Sequence, residues 1–139
     1  MGFSGTNRYW FIIGAEFPVG QCLAELASEL ALPYSTHHLD DRQRLSVPVG
    51  MATTPLAILA VSGGDADAIG HLEKWIALLI KQDIPIVLLS SAKVFDYNEV
   101  GSLENDAMTG DQVLISLENQ VRQQLQHLIV RVNQPFSLL

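Results

Sequence analysis

Apolar and polar positions alternate along the chain between two periods. Short continuous apolar runs are followed by longer stretches in which apolar residues recur every three or four positions. The first run, Arg8 to Gly14, reads as a strand, and Val19, Leu23, Leu26, Ala27 and Leu30 then mark an amphipathic helix over 19–31. Pro33 stops that helix and admits an extended run, Tyr34 to His38. Residues 40–55 are polar and rich in Pro, Gly and Thr, with at most a helical turn at Arg42 to Leu45. They read as a connection, a mobile loop being one form it can take. Leu56 to Val61 has the uninterrupted apolarity of a strand buried on both faces.

A long helix over 65–82 follows, with its stripe at Ile69, Leu72, Ile76, Leu79 and Ile80; Trp75 and Leu78 widen the apolar arc beyond one sheet face. Pro85 opens the most hydrophobic strand, Ile86 to Leu89, and residues 96–110 are loop by composition. A last helix over 111–126 has the stripe Val113, Leu114, Leu117, Val121 and Leu125, and Leu128 to Val132 is a final strand. Strands alternating with helices predict an α/β protein. The expected form is a single domain over 1–139, a three-layer αβα sandwich on a parallel sheet of about five strands, in a reduced Rossmann-like topology.

Composition narrows the function classes. With 139 residues, 48% of them apolar and 17% charged, the chain can close one buried core. Eight basic against fifteen acidic residues give a net charge of −7 without a basic cluster, which argues against nucleic acid as a partner. The longest apolar runs are about six residues, against roughly twenty for a membrane span, so no membrane partner is expected. The lone Cys22 and the lack of a signal-like start predict a cytoplasmic protein.

Candidate chemistry gathers at the expected carboxyl ends of the strands. The first strand runs into Gly14-Ala15-Glu16-Phe17-Pro18-Val19-Gly20 and a helix, the context of a dinucleotide loop. Its spacing is that of G-x-x-G-x-x-G with Phe17 at the middle glycine. Phe17 adds bulk where backbone must approach a pyrophosphate, and Glu16 adds negative charge there; alternatively, Gly14 and Gly20 simply make the turn and the close helix packing. After the second strand, Asp40 would bind a ribose hydroxyl and Arg42 accommodate a 2′-phosphate in a dinucleotide fold; alternatively, these are ordinary polar residues of a solvated strand end. The adjacent His37 and His38 point to opposite faces of a strand and do not form a metal site. Ser62 and Gly63, at the end of the third strand, lie where ligands of open α/β sheets bind, or else serve as a plain helix-capping turn. The serines and histidines form no triad motif, since no G-x-S-x-G elbow is present.

The run from Ile84 to Asp96, with Ser90-Ser91-Ala-Lys-Val-Phe-Asp96, resembles the strand and active-site turn of extended short-chain dehydrogenases. It is most similar to the S-T-D-Y-V-F-D run of the dTDP-4-dehydrorhamnose reductase group. Gly14 to Leu23 resembles the family's cofactor loop and helix, Leu39-Asp40 its Leu-Asp after the second strand, and Leu128 to Val132 its I-L-R-T strand. The resemblance spans most of residues 8–136. It implies NAD or NADP as cofactor, Gly14, Phe17, Gly20, Asp40, Arg42, Ser62 and Gly63 as the cofactor-binding set, and Ser91 as the vestige of the catalytic Ser/Thr.

It also implies a hydride transfer in which a Tyr gives the proton and a Lys four residues on lowers its pKa. Yet Tyr9, Tyr34 and Tyr97 are followed at that spacing by Ile13, His38 and Gly101, and the aligned positions hold Leu114 and Glu118. The family's substrate domain has no counterpart before Leu139. The expectation is therefore a non-catalytic Rossmann-like module that binds a small nucleotide weakly or acts through protein contacts. The helices 65–82 and 111–126 are the pair through which such enzymes dimerise, and the extra apolar Trp75 and Leu78 point to a homodimer there or to docking onto a larger partner. Two alternatives are a reductase or epimerase fragment completed by another chain, and a nucleotide sensor without turnover.

Overall fold

The computed structural model describes residues 8–50, 53–60, 66–91 and 112–132. Its elements, in chain order, are β1 (Arg8–Ile13), α1 (Pro18–Glu29), β2 (Tyr34–His37), β3 (Thr54–Ala60), α2 (Ala66–Lys81), β4 (Ile86–Ser91), α3 (Gln112–Val121) and β5 (His127–Val132). All pairings are parallel and the order across the sheet is β2-β1-β3-β4-β5. This is the α/β, Rossmann-like architecture that the alternation of periods predicts.

Strand alternation assigns the faces. Tyr9, Phe11 and Ile13 of β1, Ala57 and Leu59 of β3, and Ile86 and Leu88 of β4 join Ile69, Leu72, Trp75, Ile76 and Leu79 of α2 and Leu117 and Val121 of α3 in one buried cluster. On the other side α1 lies against β1 and β2. The helices α1 and α2 close alike: Ala31 and Asp83 adopt left-handed φ of 56° and 58°. The next N–H in each case, Leu32 or Ile84, reaches back to the carbonyl of Ala27 or Leu79 at 2.9 and 3.0 Å.

Three expectations are corrected. Trp75 does not widen an outward arc: it is fully buried, and its indole N–H donates to the Leu39 carbonyl at 2.8 Å. The stretch after β2 is pinned rather than loose, and no helical turn forms at Arg42 to Leu45. Leu39 and Leu45 are buried in the core cluster, and the Gln82 amide both accepts from the Leu45 N–H at 3.0 Å and donates to its carbonyl at 2.8 Å. One side-chain amide thereby does for the connection what a neighbouring strand would do.

The last helix stops at Val121, five residues short of the expected end. The tightening turn of Gln123 N–H to Gln120 and Gln124 N–H to Val121 leaves Leu125 94% exposed, while the Gln124 amide is buried and donates to the Ile84 carbonyl at 2.8 Å. The edge strand β5 forms as expected, with Leu128 and Val130 on it 45% and 37% exposed. No helix among the described residues is long and apolar enough to cross a membrane.

Candidate functional site

The β1–α1 turn keeps the backbone demands of a phosphate-approaching loop. Gly14 sits at φ 95°, a region L side chains rarely adopt, and a Cβ there would lie 3.0 Å from the Ala60 carbonyl oxygen. A Cβ on Gly20 would collide with the Gly14 carbonyl oxygen and lie 2.8 Å from Ala15 Cα, so α1 can press this closely on the turn only with glycine at 20. Pro18 fits the first helical position, where no N–H is needed, and Phe17 stands at the N-cap without a side-chain capping bond. The Phe17 side chain is half-buried and packs against the core cluster, with one ring edge 3.3 Å from where a Gly14 Cβ would stand.

The turn is stitched to the end of β2. The N–H groups of Gly14 and Ala15 both donate to the His37 carbonyl, at 2.9 and 3.2 Å. Across the same gap the Glu16 carboxylate accepts from the Leu39 N–H with both oxygens, at 3.0 and 3.2 Å. The Leu39 peptide is thus held at its N–H by Glu16 and at its carbonyl by Trp75. Beside it lies an open groove of about 590 Å³ lined by Thr36, His38, Asp40 and Asp41.

The two histidines part company as strand geometry requires. His38 is exposed on the groove, whereas His37 is half-buried, with its Nε2 3.0 Å from the Ser35 hydroxyl and its ring tilted between Phe11 and Trp75. Burial lowers the His37 pKa below its usual 6.5, and the nearby Asp41 charge opposes that shift without reversing it. Among the described residues no group of His, Cys, Asp and Glu could hold a metal ion. Cys22 is a free, half-buried thiol on α1.

Of the cofactor-binding set, then, the fold brings Gly14, Phe17 and Gly20 together at one turn and sets Asp40 beside it, exposed on the groove. Arg42 is exposed further along the connection. Ser62 and Gly63 lie outside the described residues. Ser91 ends β4, in register with Val132 of β5, and its side chain lies outside the described part.

Glu118, which the resemblance sets opposite a lysine, is held in a way that motif spacing alone does not reveal. Glu118 is fully buried between α3 and β5, and Arg131 grips it as a fork: Nη2 to Oε1 at 2.7 Å and Nε to Oε2 at 3.1 Å. Arg122, one turn further along α3, adds a contact at 3.2 Å. The signal was present in the helical period: Glu118 falls within the stripe of Leu114, Leu117 and Val121, and a charge on a core-facing stripe requires a buried partner.

A parallel sheet with a glycine turn leading from β1 into α1 defines the class: this is a Rossmann-like α/β architecture. No family model matches the sequence, and no curated protein matches it. Solved structures do match in fold. A short-chain dehydrogenase/reductase superfamily protein from Agrobacterium tumefaciens with bound NAD superposes with a TM-score of 0.65 at 11% identity, over 88% of this chain and 48% of its own. A dTDP-4-dehydrorhamnose reductase from Clostridium acetobutylicum gives 0.67 at 16% identity, over 89% of this chain and 52% of its own. An NAD-dependent NDP-hexosamine 5,6-dehydratase of tunicamycin biosynthesis gives 0.64 at 13%, over 96% and 59%. The shared fold is thus that of the short-chain dehydrogenase-like enzymes, and the chain spans about half the length of each.

The residues present fit a dinucleotide only in part. The backbone turn offers the close approach a pyrophosphate needs, because both glycines are where it requires them. The Glu16 carboxylate, held across that approach, is the wrong charge for it.

Proposed function

We propose that this chain is a non-catalytic Rossmann-like module that binds a nucleotide weakly and transfers no hydride. One observation carries the reading: the carboxylate at the lysine position is buried and committed to Arg131 at 2.7 Å. A cation at that position would hold a ribose and lower a tyrosine pKa; a buried Glu–Arg pair does neither, and Leu114 stands where the proton donor belongs. The retained glycine turn supports nucleotide binding, as do the NAD-binding proteins that share the fold.

The test is a thermal-shift titration with NAD, NADP, their reduced forms and nucleotide sugars, paired with an assay of nicotinamide absorbance. A nucleotide at about 100 times its Kd stabilises by about 2.7 kcal/mol. Saturable stabilisation without turnover is the expected result. No shift with any of them overturns the binding half of the reading, and product formation overturns the non-catalytic half.

The half-length match favours a second reading, a nucleotide-sugar reductase or epimerase fragment completed by another chain. It requires hydride transfer to appear when the missing half is supplied in trans, whereas the buried Glu118 calls for none. Protein contact through α2 and α3 as a homodimer is the remaining form of the proposal. With Trp75 turned inward, that contact would rest on an outer surface that includes Glu73, Lys74, Ala77, Ser116 and Asn119, all exposed. Monomeric mass by light scattering at high concentration overturns it.

A further inference from the structure

We infer that the outer edge of β5 is a self-association surface, on which a second copy of this chain lays its own β5 antiparallel, across a two-fold axis at Ile129. The two sheets then continue as one.

The two edges of the sheet are built differently. β2 is four residues long, carries Ser35 and Thr36, and is followed closely by Asp40 and Asp41. Short length, polar side chains and nearby charge keep an edge strand from pairing with other chains. β5 runs for six residues, His127-Leu128-Ile129-Val130-Arg131-Val132, and among the described residues no strand pairs with its outer side. Arg131 is turned onto the buried Glu118 at 2.7 Å, so its charge does not guard the edge. Leu128 and Val130 stand on the opposite face, 45% and 37% exposed, in register with the half-buried Val87 and Leu89 of β4.

The backbone fixes which groups a partner would meet. The Ile86 N–H donates to the Gln126 carbonyl at 3.1 Å, so the even-numbered residues of β5 turn their N–H and C=O groups to β4. His127, Ile129 and Arg131 therefore turn theirs outward. A two-fold axis at Ile129 makes a hydrogen-bonded pair of the two Ile129 residues, and another of each His127 with Arg131 of the second copy. Leu128 then lies opposite Val130 of the second copy, a non-hydrogen-bonded pair with Cα atoms about 4.5 Å apart. Both such pairs share one face, so the exposed apolar residues of each strand cover those of the other.

Charge favours the same occupant. All fifteen carboxylates of the chain lie at or before Glu118, and Glu118 is itself neutralised, so β5 meets β5 without opposing carboxylates on the strands despite a net charge of −7. An unrelated extended segment offers backbone groups alone; an identical strand also matches this one in length, register and side-chain order. The surface is distinct from the outer faces of α2 and α3.

The experiment is sedimentation equilibrium of the full chain up to about 0.5 mM, for the wild type and for Val130→Lys, Leu128→Lys and Leu26→Lys. The two β5 variants put an ammonium into the apolar pair. Leu26→Lys makes the same change of charge on α1 at a residue of similar exposure, 43%. The expected result is a wild-type dimer whose Kd rises about tenfold or more in both β5 variants and stays within about threefold in Leu26→Lys. Amide exchange reads the contact without a substitution. Across the transition from monomer to dimer the outward N–H groups of Ile129 and Arg131 should slow about tenfold, while those of Leu128 and Val130, already bonded to β4, hold their rates.

A wild type that is monomeric throughout overturns the inference, and the α2–α3 homodimer with it. A dimer indifferent to both β5 variants, or one in which the Ile129 N–H does not slow, overturns the edge pairing and leaves the α2–α3 contact standing. Equal weakening by Leu26→Lys overturns the edge pairing in favour of unspecific association.

Discussion

The two ends of the sheet use their buried and half-buried polar groups differently. At the β1–α1 turn the backbone is set by two glycines, with the half-buried Phe17 between them and Glu16 reaching out to the Leu39 N–H. At α3 and β5 a charged pair is part of the interior, a fully buried Glu118 held by the Arg131 fork. The difference follows from what packing demands. Gly14 and Gly20 are needed for α1 to seat against β1 and the turn whether or not a ligand is present, because a Cβ at either would meet backbone atoms. Glu118 and Arg131 need each other instead, because a charge on the core-facing side of α3 is tolerated only with a partner.

The largest expected effect breaks the α3–β5 end. Arg131→Met leaves Glu118 in the interior with only the half-exposed Arg122 beside it, and removing one partner of a buried pair costs about 3–5 kcal/mol. Urea unfolding measures it. The double variant Glu118→Leu/Arg131→Met should recover most of that loss, since a well-packed apolar pair can replace a buried ion pair. A double variant no more stable than the single one would mean that Arg131 contributes through other contacts.

Next comes Gly20→Ala at the opposite end, which drives a methyl into the Gly14 carbonyl and the Ala15 backbone. It should cost about 3 kcal/mol, by the same urea measurement, with or without nucleotide present. A loss below about 1 kcal/mol would show that the turn can open, and would remove the packing reason for its persistence.

The smallest effect sharpens the comparison at the β2 end. His37 has a pKa lowered by burial, so the unfolded chain binds its proton more readily than the folded one. Its contribution is therefore fully present above the ordinary value of 6.5 and is lost as pH falls from there through the lowered folded value. Urea midpoints between about pH 7 and pH 5 should fall less steeply in His37→Asn than in wild type. Equal slopes would show that the ring pays no cost for being charged between Phe11 and Trp75.

Much of the architecture was legible from periodicity, because a parallel sheet flanked by helices writes itself as apolar runs alternating with 3.6-residue stripes. Among the described residues each strand and helix lies where the pattern puts it, with bounds about two residues off at most except at the end of the last helix. The errors have a common cause: they fall where one long-range polar bond outweighs a local preference. Leu125 continued the stripe of the last helix, but burying Gln124 on the Ile84 carbonyl ended that helix at Val121. Trp75 exceeded the stripe of α2 because its partner was the Leu39 carbonyl, 36 residues earlier in the chain. The breaker-rich connection gave no sign that Gln82 would clasp Leu45.

For the candidate site the division is similar. The glycine spacing, the missing Tyr-x-x-x-Lys and the foreign charge at Glu16 are facts of residue identity, and the sequence alone determined them together with the class of fold. Tertiary structure alone decided that Glu16 reaches the Leu39 N–H, that Trp75 turns inward, and that Glu118 is neutralised by Arg131 rather than exposed to a nucleotide. These are pairings between residues 13 to 36 positions apart in the chain, and only the parallel stacking of strands and their crossover helices brings them within reach.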